Sequence, residues 1–438
     1  MATKELRRDF THYVSLNAIA MLGFSLYILA DTFFIAYYIG ADGLAALSLA
    51  WPVFYLAITG PGILLGIGSA TLFSISIGRR QFKQATCYAQ TALAAGIIYA
   101  LLITALFWLF RDDWCRLMGA QGQIFFYLRD YLSYLVSFTL VFVVFQVFLA
   151  TLRNDGSPRL AMAAMLVGNL VNIFFDWLLM GPLAMGLDGA ALATGASPLS
   201  SLSVVALHFL KDDRYLYLRP FQPKWSGLPH IVRTGLPAFI SDVSNGISIY
   251  AFNRTILVIA NALAVSAYSI LLNTGVVIIY ILTGIAQGVQ PLLSLYFGRG
   301  DKAAVKRLWH WGLRTIFLVS VAIVAVGELF APQIVAFFNT QGNEVLAALA
   351  TPGLRLYYLA FIPMGLNILA VNALAAVTDA RPSVILCLCR ALLFPLPLVI
   401  LMGMGFGLTG VWLTTPVAES LTCLVFWGLY RRSQLAQV

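Results

Sequence analysis

Residues 186–194 read GLDGAALAT and residues 407–415 read GLTGVWLTT, sharing five of nine positions at a spacing of 221. A second pair keeps almost the same period: IGRRQFKQA (77–85) is echoed by FGRGDKAAV (297–305), which sets Gly78 and Gly298 220 residues apart. Half of the 438-residue chain is 219, so the repeat covers the whole of it. Internal duplication on this scale is characteristic of transporters, in which each copy forms one structural half.

Around these markers the chain is strongly apolar, 61% hydrophobic and 10% charged, where a soluble domain carries about 25% charged residues. Runs of roughly 20 apolar residues, enough to cross about 30 Å of hydrocarbon, recur along its length. Dividing them at charged or Gly/Pro-rich breaks predicts helices near 13–38, 48–77, 88–110, 127–151, 159–180 and 188–210. In the second half they fall near 231–257, 266–296, 308–331, 353–377, 383–403 and 408–430. The expected fold is an all-α polytopic membrane protein of twelve transmembrane helices in two six-helix bundles. Its expected parts are an N-terminal lobe at 1–210, a cytoplasmic linker at 211–230 and a C-terminal lobe at 231–438. An even number of helices per half gives both copies one orientation, with a pseudo-twofold axis along the membrane normal and a cleft between the lobes.

The charges agree with that count. With both termini on the cytoplasmic side, 21 of the 27 Lys and Arg fall on inner segments and five near the outer face, as the positive-inside rule requires. Only Arg390 falls within a helix. The net charge of +9 is dispersed in short clusters between apolar runs, which argues against a nucleic-acid partner. The basic start MATKELRRDFTHY leads into an apolar run too long for a signal-peptide core, so it reads as a retained first helix. The five cysteines (Cys87, Cys115, Cys387, Cys389 and Cys423) show no CxxC spacing and read as packing residues.

A carboxylate in the bilayer core costs at least about 2.5–3.5 kcal/mol, so acids inside spans are functional candidates. Asp31 lies in the first helix and Asp176 deep in the fifth; Asp242 and Glu419 lie in the seventh and twelfth, and Glu328 near an outer helix end. Asn172 and Asp176, four apart, share one helix face. With Asp31 and the hydroxyl of Thr194 they compose an all-oxygen set that suits a hard cation, while burial penalises the charged acids and suits one to carry a proton. The alternative is that these acids only satisfy neighbouring polar groups. Glu419 has a simpler reading as the partner of Arg390. Tyr27, Tyr37 and Tyr250 are candidates to line a cavity for flat cations.

Several stretches carry a resemblance: LADTFFIAYYIGADGLAALSLAWP (29–52), LRNDGSPRLAMAAMLVGNLVNIFFD (152–176), GLDGAALAT, GLPAFIS (235–241) and QPLLSLYFGRGD (290–301). In this order and at this spacing, across nearly the whole chain, the sequence resembles the multidrug and toxic compound extrusion (MATE) family. The resemblance implies a V-shaped pair of lobes in the bacterial inner membrane that exports lipophilic, often cationic compounds in exchange for protons or sodium ions. It implies a monomer with no cofactor, and no metal beyond Na⁺ at the coupling set. In the DinF-like branch the coupling positions correspond to Asp31, Asn172, Asp176 and Thr194. NorM-like members carry a Glu eight residues after the Pro of GLPAFIS, where this chain has Asn245; Asp242 lies three residues earlier, so the chain sits nearer the DinF-like branch. A lipid-linked precursor flippase would want a basic cleft, for which only Arg390 and Arg254 are available. An enzyme would need a nucleophile with its base or metal ligands; the four histidines fall at predicted helix ends, with no HExxH, GxSxG or phosphate loop.

Overall fold

A computed structural model describes residues 2–212, 214–218, 220–339, 343–431 and 433–437; Arg219 and Arg432 of the charge count, and the side chain of Asn245, lie outside the described residues. The first half contains α1 (Ala2–Tyr38), α2 (Ala41–Val53), α3 (Gly60–Gly78), α4 (Phe82–Leu109), α5 (Arg111–Leu117), α6 (Gly122–Ser137), α7 (Thr139–Asn154), α8 (Pro158–Met180) and α9 (Gly186–Ala206). The second contains α10 (Leu228–Ile259), α11 (Ala262–Gly298), α12 (Lys302–Phe338), α13 (Glu344–Tyr358), α14 (Phe361–Ala376), α15 (Ala380–Leu388) and α16 (Pro395–Tyr430).

Among the described residues, eight stretches are long and apolar enough to cross a membrane. Two bent pairs, α6 with α7 at 49° and α13 with α14 at 44°, raise the number to ten. One of the eight, Ala380–Tyr430, runs for 51 residues and breaks at Gly407, whereas one crossing takes about 20. Dividing it and adding the 32-residue α10 gives twelve rods, in the places the apolar runs predict. Helix α1 starts well before residue 13, because Ala, Lys, Glu, Leu and Arg are strong helix formers and nothing in the first turns breaks the helix. The short α5, unforeseen in sequence, has Asp112 and Asp113 in its first turn and Arg116 in its last, matching the helix dipole.

The duplication is visible in the backbone as well. Gly186 and Gly407, which open the two copies of the repeat, have φ of 59° and 60°. Arg80 pairs in the same way with Gly300 (62° and 73°), and Gly156 with Thr378 (71° and 59°). Their spacings of 221, 220 and 222 residues reproduce the sequence period, so the two halves share these three left-handed turns, while Gly40, Gly119, Gly122 and Ala184 are left-handed in the first half alone among the described residues.

The chain folds into two compact units. One comprises Leu22–Val243 with Ser294–Gly300; the other comprises Met1–Met21, Ser244–Leu293 and Asp301–Val438. In the first, a wide π turn, Phe54–Thr59, joins α2 to α3 between Pro52 and Pro61. Pro61 has no N–H to give the Ala57 carbonyl, and Tyr99 supplies one by donating its hydroxyl at 2.9 Å. In the same unit the connector is a fitted strap. Asp155 accepts from the backbone N–H groups of Tyr215 and Leu216 at 2.9 and 3.1 Å, and pairs with His208 Nε2 at 2.8 Å. Gln90 donates to the carbonyls of Tyr217 and Pro220, and Leu216 is fully buried.

Candidate functional site

Three helices of the Leu22–Val243 unit, α1, α8 and α9, build the site. Helices α8 and α9 form a close hairpin: Gly168 faces the hydroxyls of Ser197 and Ser201, and Ser201 Oγ donates to the Ala164 carbonyl at 2.9 Å. That approach sets Asn172 and Asp176, both fully buried on α8, against Thr194 of α9. With Nδ2 facing the acid, Asn172 donates to Asp176 Oδ2 at 2.8 Å, and its Oδ1 accepts from the Thr194 backbone N–H at 3.2 Å. Asp31, on α1, is 4% exposed, and its carboxyl is within hydrogen-bonding reach of Asp176.

The structure therefore brings together all four members of the expected set. Asp31 Oδ1, Asp176 Oδ1 and Thr194 Oγ1 are buried and have no hydrogen-bond partner among the described residues. Pro198, four residues after Thr194, has no N–H to offer the Thr194 carbonyl. Oxygens that are desolvated and unsatisfied are costly until a proton or a cation reaches them. A cavity of about 10 Å³ adjoins Asp31 and Thr194, with Tyr27, Trp51, Phe54 and Tyr131 also in its lining. That is room for roughly one water-sized occupant. Its apolar lining comes from Leu47, Ala50 and Leu135, all buried in one cluster.

The remaining candidates separate. Asp242 accepts from Thr59 Oγ1 at 3.4 Å. Glu419 lies in the other unit and is fully engaged: Arg390 Nε donates to its Oε1 at 2.8 Å and Asn367 Nδ2 to its Oε2 at 2.7 Å. Tyr27 lines the cavity, whereas Tyr37 and Tyr250 are 72% and 71% exposed. Glu328 is partly exposed and 3.9 Å from Arg355. Sequence reading missed Tyr131 and Trp51, which no local pattern marks, and Asn367, whose amide inside the apolar α14 was a usable signal. No group of three or more His, Cys, Asp or Glu suited to a metal ion occurs among the described residues.

Comparison with known proteins agrees on one family. The MatE family model matches twice, over residues 17–178 and 247–409, once in each copy of the repeat. The multidrug export protein MepA of Staphylococcus aureus (strain MRSA252) is 25% identical over 91% of this chain and 88% of its own length. A crystal structure of MATE in complex with MaL6 superposes with a TM-score of 0.92 at 25% identity, covering 99% of this chain and 98% of that one. An outward-facing multidrug resistance MATE family transporter of the MOP superfamily gives the same score and identity, covering 99% and 97%.

Proposed function

The chain belongs to the MatE family, and from that membership we propose that it is a secondary active multidrug exporter. It moves lipophilic, often cationic compounds in antiport with protons or sodium ions. The relatives are export proteins and transporters, and the chain is an integral membrane transporter rather than an enzyme. In this reading it lies in a bacterial inner membrane as a monomer with both termini cytoplasmic, needs no cofactor, and binds H⁺ or Na⁺ at Asp31, Asn172, Asp176 and Thr194. The lobes 1–210 and 231–438, joined through 211–230, alternate access; the two separate matches of the family model support that division.

One observation carries the coupling assignment: two buried carboxyls within hydrogen-bonding reach of each other, with oxygens that find no partner among the described residues. An ionised carboxylate only accepts hydrogen bonds, so a bond between Asp31 and Asp176 requires a proton on one of them. A cation entering the site displaces that proton; a substrate acts equally well if its binding favours the state in which the acids are charged. The ligand must bind the two states differently to shift their populations. An entering charge that crosses about 100 mV releases about 2.3 kcal/mol, enough for roughly a 50-fold gradient of a neutral solute. For a monovalent organic cation exchanged one for one, the electrical contributions cancel and only the ion's concentration gradient remains.

The test is transport in proteoliposomes under a proton gradient and a Na⁺ gradient imposed separately, with wild type and Asp31→Asn. Wild type is expected to respond to at least one gradient and the variant to neither. Equal transport by both proteins under both gradients removes the assignment.

A further inference from the structure

Helix α4 is 28 residues long, about eight more than one crossing takes. Counted back from Leu109, the crossing starts near Gln90, so residues 82–89 stand at the depth of the lipid headgroups. The connector runs along this overhang. Thr86 donates its hydroxyl to the Tyr215 carbonyl at 2.8 Å, and Gln90 donates to the Tyr217 and Pro220 carbonyls while accepting from the Gln222 N–H. Thr91 Oγ1 accepts from the Lys224 N–H at 2.9 Å, and both Gln90 and Thr91 are buried. On a helix of about 3.6 residues per turn, positions eleven apart share a face. Eleven beyond Gln90 and Thr91 come Leu101 and Leu102, both exposed. Bare leucine on a membrane span meets hydrocarbon. The strap therefore covers the headgroup end of a lipid-facing flank, with the bilayer beside it.

What the strap turns outward suits that place. Tyr215 and Tyr217 are exposed on either side of buried Leu216. Phe82 stacks on Tyr215 with centroids 4.9 Å apart and planes at 8°, and Phe221 and Trp225 are exposed further along. Aromatic rings, tryptophan and tyrosine above all, concentrate at headgroup level. Basic groups lie among them. Arg214 sits over the Tyr217 ring at 5.5 Å, and Lys83, Lys211 and Lys224 are exposed along the same stretch. Against them stands the exposed Asp212, while Asp155 is buried beneath the strap and occupied by His208. Asp213 and Arg219 cancel in the sequence. Lys211 Nζ donates to Ser157 Oγ at 2.9 Å, whereas Lys83 and Lys224 join no ion pair among the described residues. Basic side chains held at a membrane surface attract the phosphates of anionic lipids.

We infer that the connector docks on the bilayer beside α4 through Tyr215, Tyr217 and Trp225, and that Lys83, Arg214 and Lys224 hold anionic phospholipid headgroups there. This contact needs neither transport nor a coupling ion. The probe is phosphatidylglycerol, compared with phosphatidylcholine, each carrying brominated acyl chains that quench tryptophan fluorescence on contact. The full chain is reconstituted in phosphatidylcholine vesicles doped with one or the other, and the Trp225 signal is the difference between wild type and Trp225→Phe. Both brominated lipids are expected to quench Trp225, phosphatidylglycerol with an apparent affinity at least about fivefold higher. That preference should fall to less than about half in Lys83→Gln with Lys224→Gln, survive in Lys83→Arg with Lys224→Arg, and weaken at high ionic strength. Equal quenching of wild type by the two lipids overturns the inference, as does a preference that the Lys→Gln pair leaves unchanged. A loss in the Lys→Arg pair as large as in the Lys→Gln pair assigns the lysines a structural role and overturns it too. Trp225 untouched by either lipid places the strap in water and removes the docking altogether.

Discussion

The carboxyl groups of Asp31, on α1, and Asp176, on α8, lie within hydrogen-bonding reach of each other, although 145 residues separate them in the chain. Neither has a basic partner among the described residues, and Asn172 donates to the second of them. The pair holds a proton by geometry, since two ionised carboxylates repel and cannot donate.

That geometry predicts a measurable proton. Na⁺ or a transported cation, added to the purified protein in weakly buffered detergent solution with a pH indicator, is expected to release about one proton per chain. Asp31→Asn and Asp176→Asn each remove one acid, and both are expected to abolish the release. The double variant should transport no worse than the poorer single one, because residues acting as a unit are not additive. Proton release by Asp31→Asn equal to that of wild type would show that the coupled proton sits elsewhere.

Asp155 supports a second prediction, about the strap. It receives three donors, from His208, Tyr215 and Leu216, at 2.8 to 3.1 Å. Each hydrogen bond to a charged acceptor contributes about 1.5–3 kcal/mol. Asp155→Ala therefore leaves two backbone N–H groups without their acceptor and unfastens the strap at Tyr215 and Leu216. Hydrogen exchange is expected to speed up at the Tyr215 and Leu216 amides while α3 and α7 stay protected. Unchanged protection at those two amides would mean that Gln90 and the buried Leu216 hold the strap without Asp155.

What the sequence made legible follows from these cases. Asp31, Asn172, Asp176 and Thr194 were readable because acids are rare inside apolar spans and a spacing of four fixes a helix face. Their convergence needed only the α8–α9 hairpin and α1. The Asp155–His208 pair joins residues 53 apart at two helix ends, where neither is unusual, so the connector read as solvated linker rather than docked strap. Pro52 and Pro61 both lie in the second apolar run. Whether a proline gives a bend or a π turn depends on which carbonyls find new donors, here Ala57 from Tyr99, and that is a tertiary fact.

Glu419 and Arg390 supply a third prediction. Their 2.8 Å pair is buried, with side chains 5% and 18% exposed, and Asn367 takes the second carboxylate oxygen. Removing one partner strands the other charge, at about 3–5 kcal/mol, whereas replacing both by apolar groups is often near neutral. Arg390→Met should lower the thermal unfolding midpoint in detergent sharply, and Arg390→Met with Glu419→Leu should recover most of the loss. A double variant as unstable as the single one would mean that the network, through Asn367 and Cys423, is not replaceable as an ion pair.

The repeat yields a fourth prediction, with opposite signs at two of its left-handed positions. Gly407, at φ 60° and ψ −144°, breaks the 51-residue stretch and occupies a region open essentially to glycine alone. Gly407→Ala is expected to cost about 1–3 kcal/mol. Thr378, at φ 59°, is a β-branched residue where its counterpart, 222 positions earlier, is Gly156. The left-handed conformation costs a β-branched residue about 1–2 kcal/mol, and glycine loses about 0.5–1 kcal/mol through its freedom in the unfolded chain. Thr378→Gly should therefore be neutral to slightly stabilising, and Gly156→Thr destabilising by about 1 kcal/mol or more. The check is the unfolding midpoint of each variant, ranked against wild type by intrinsic tryptophan fluorescence under one detergent and one heating rate. If Thr378→Gly destabilises as much as Gly407→Ala, the Thr378 side chain contributes packing that outweighs its backbone strain. The two halves would then share their turns while differing in what holds them.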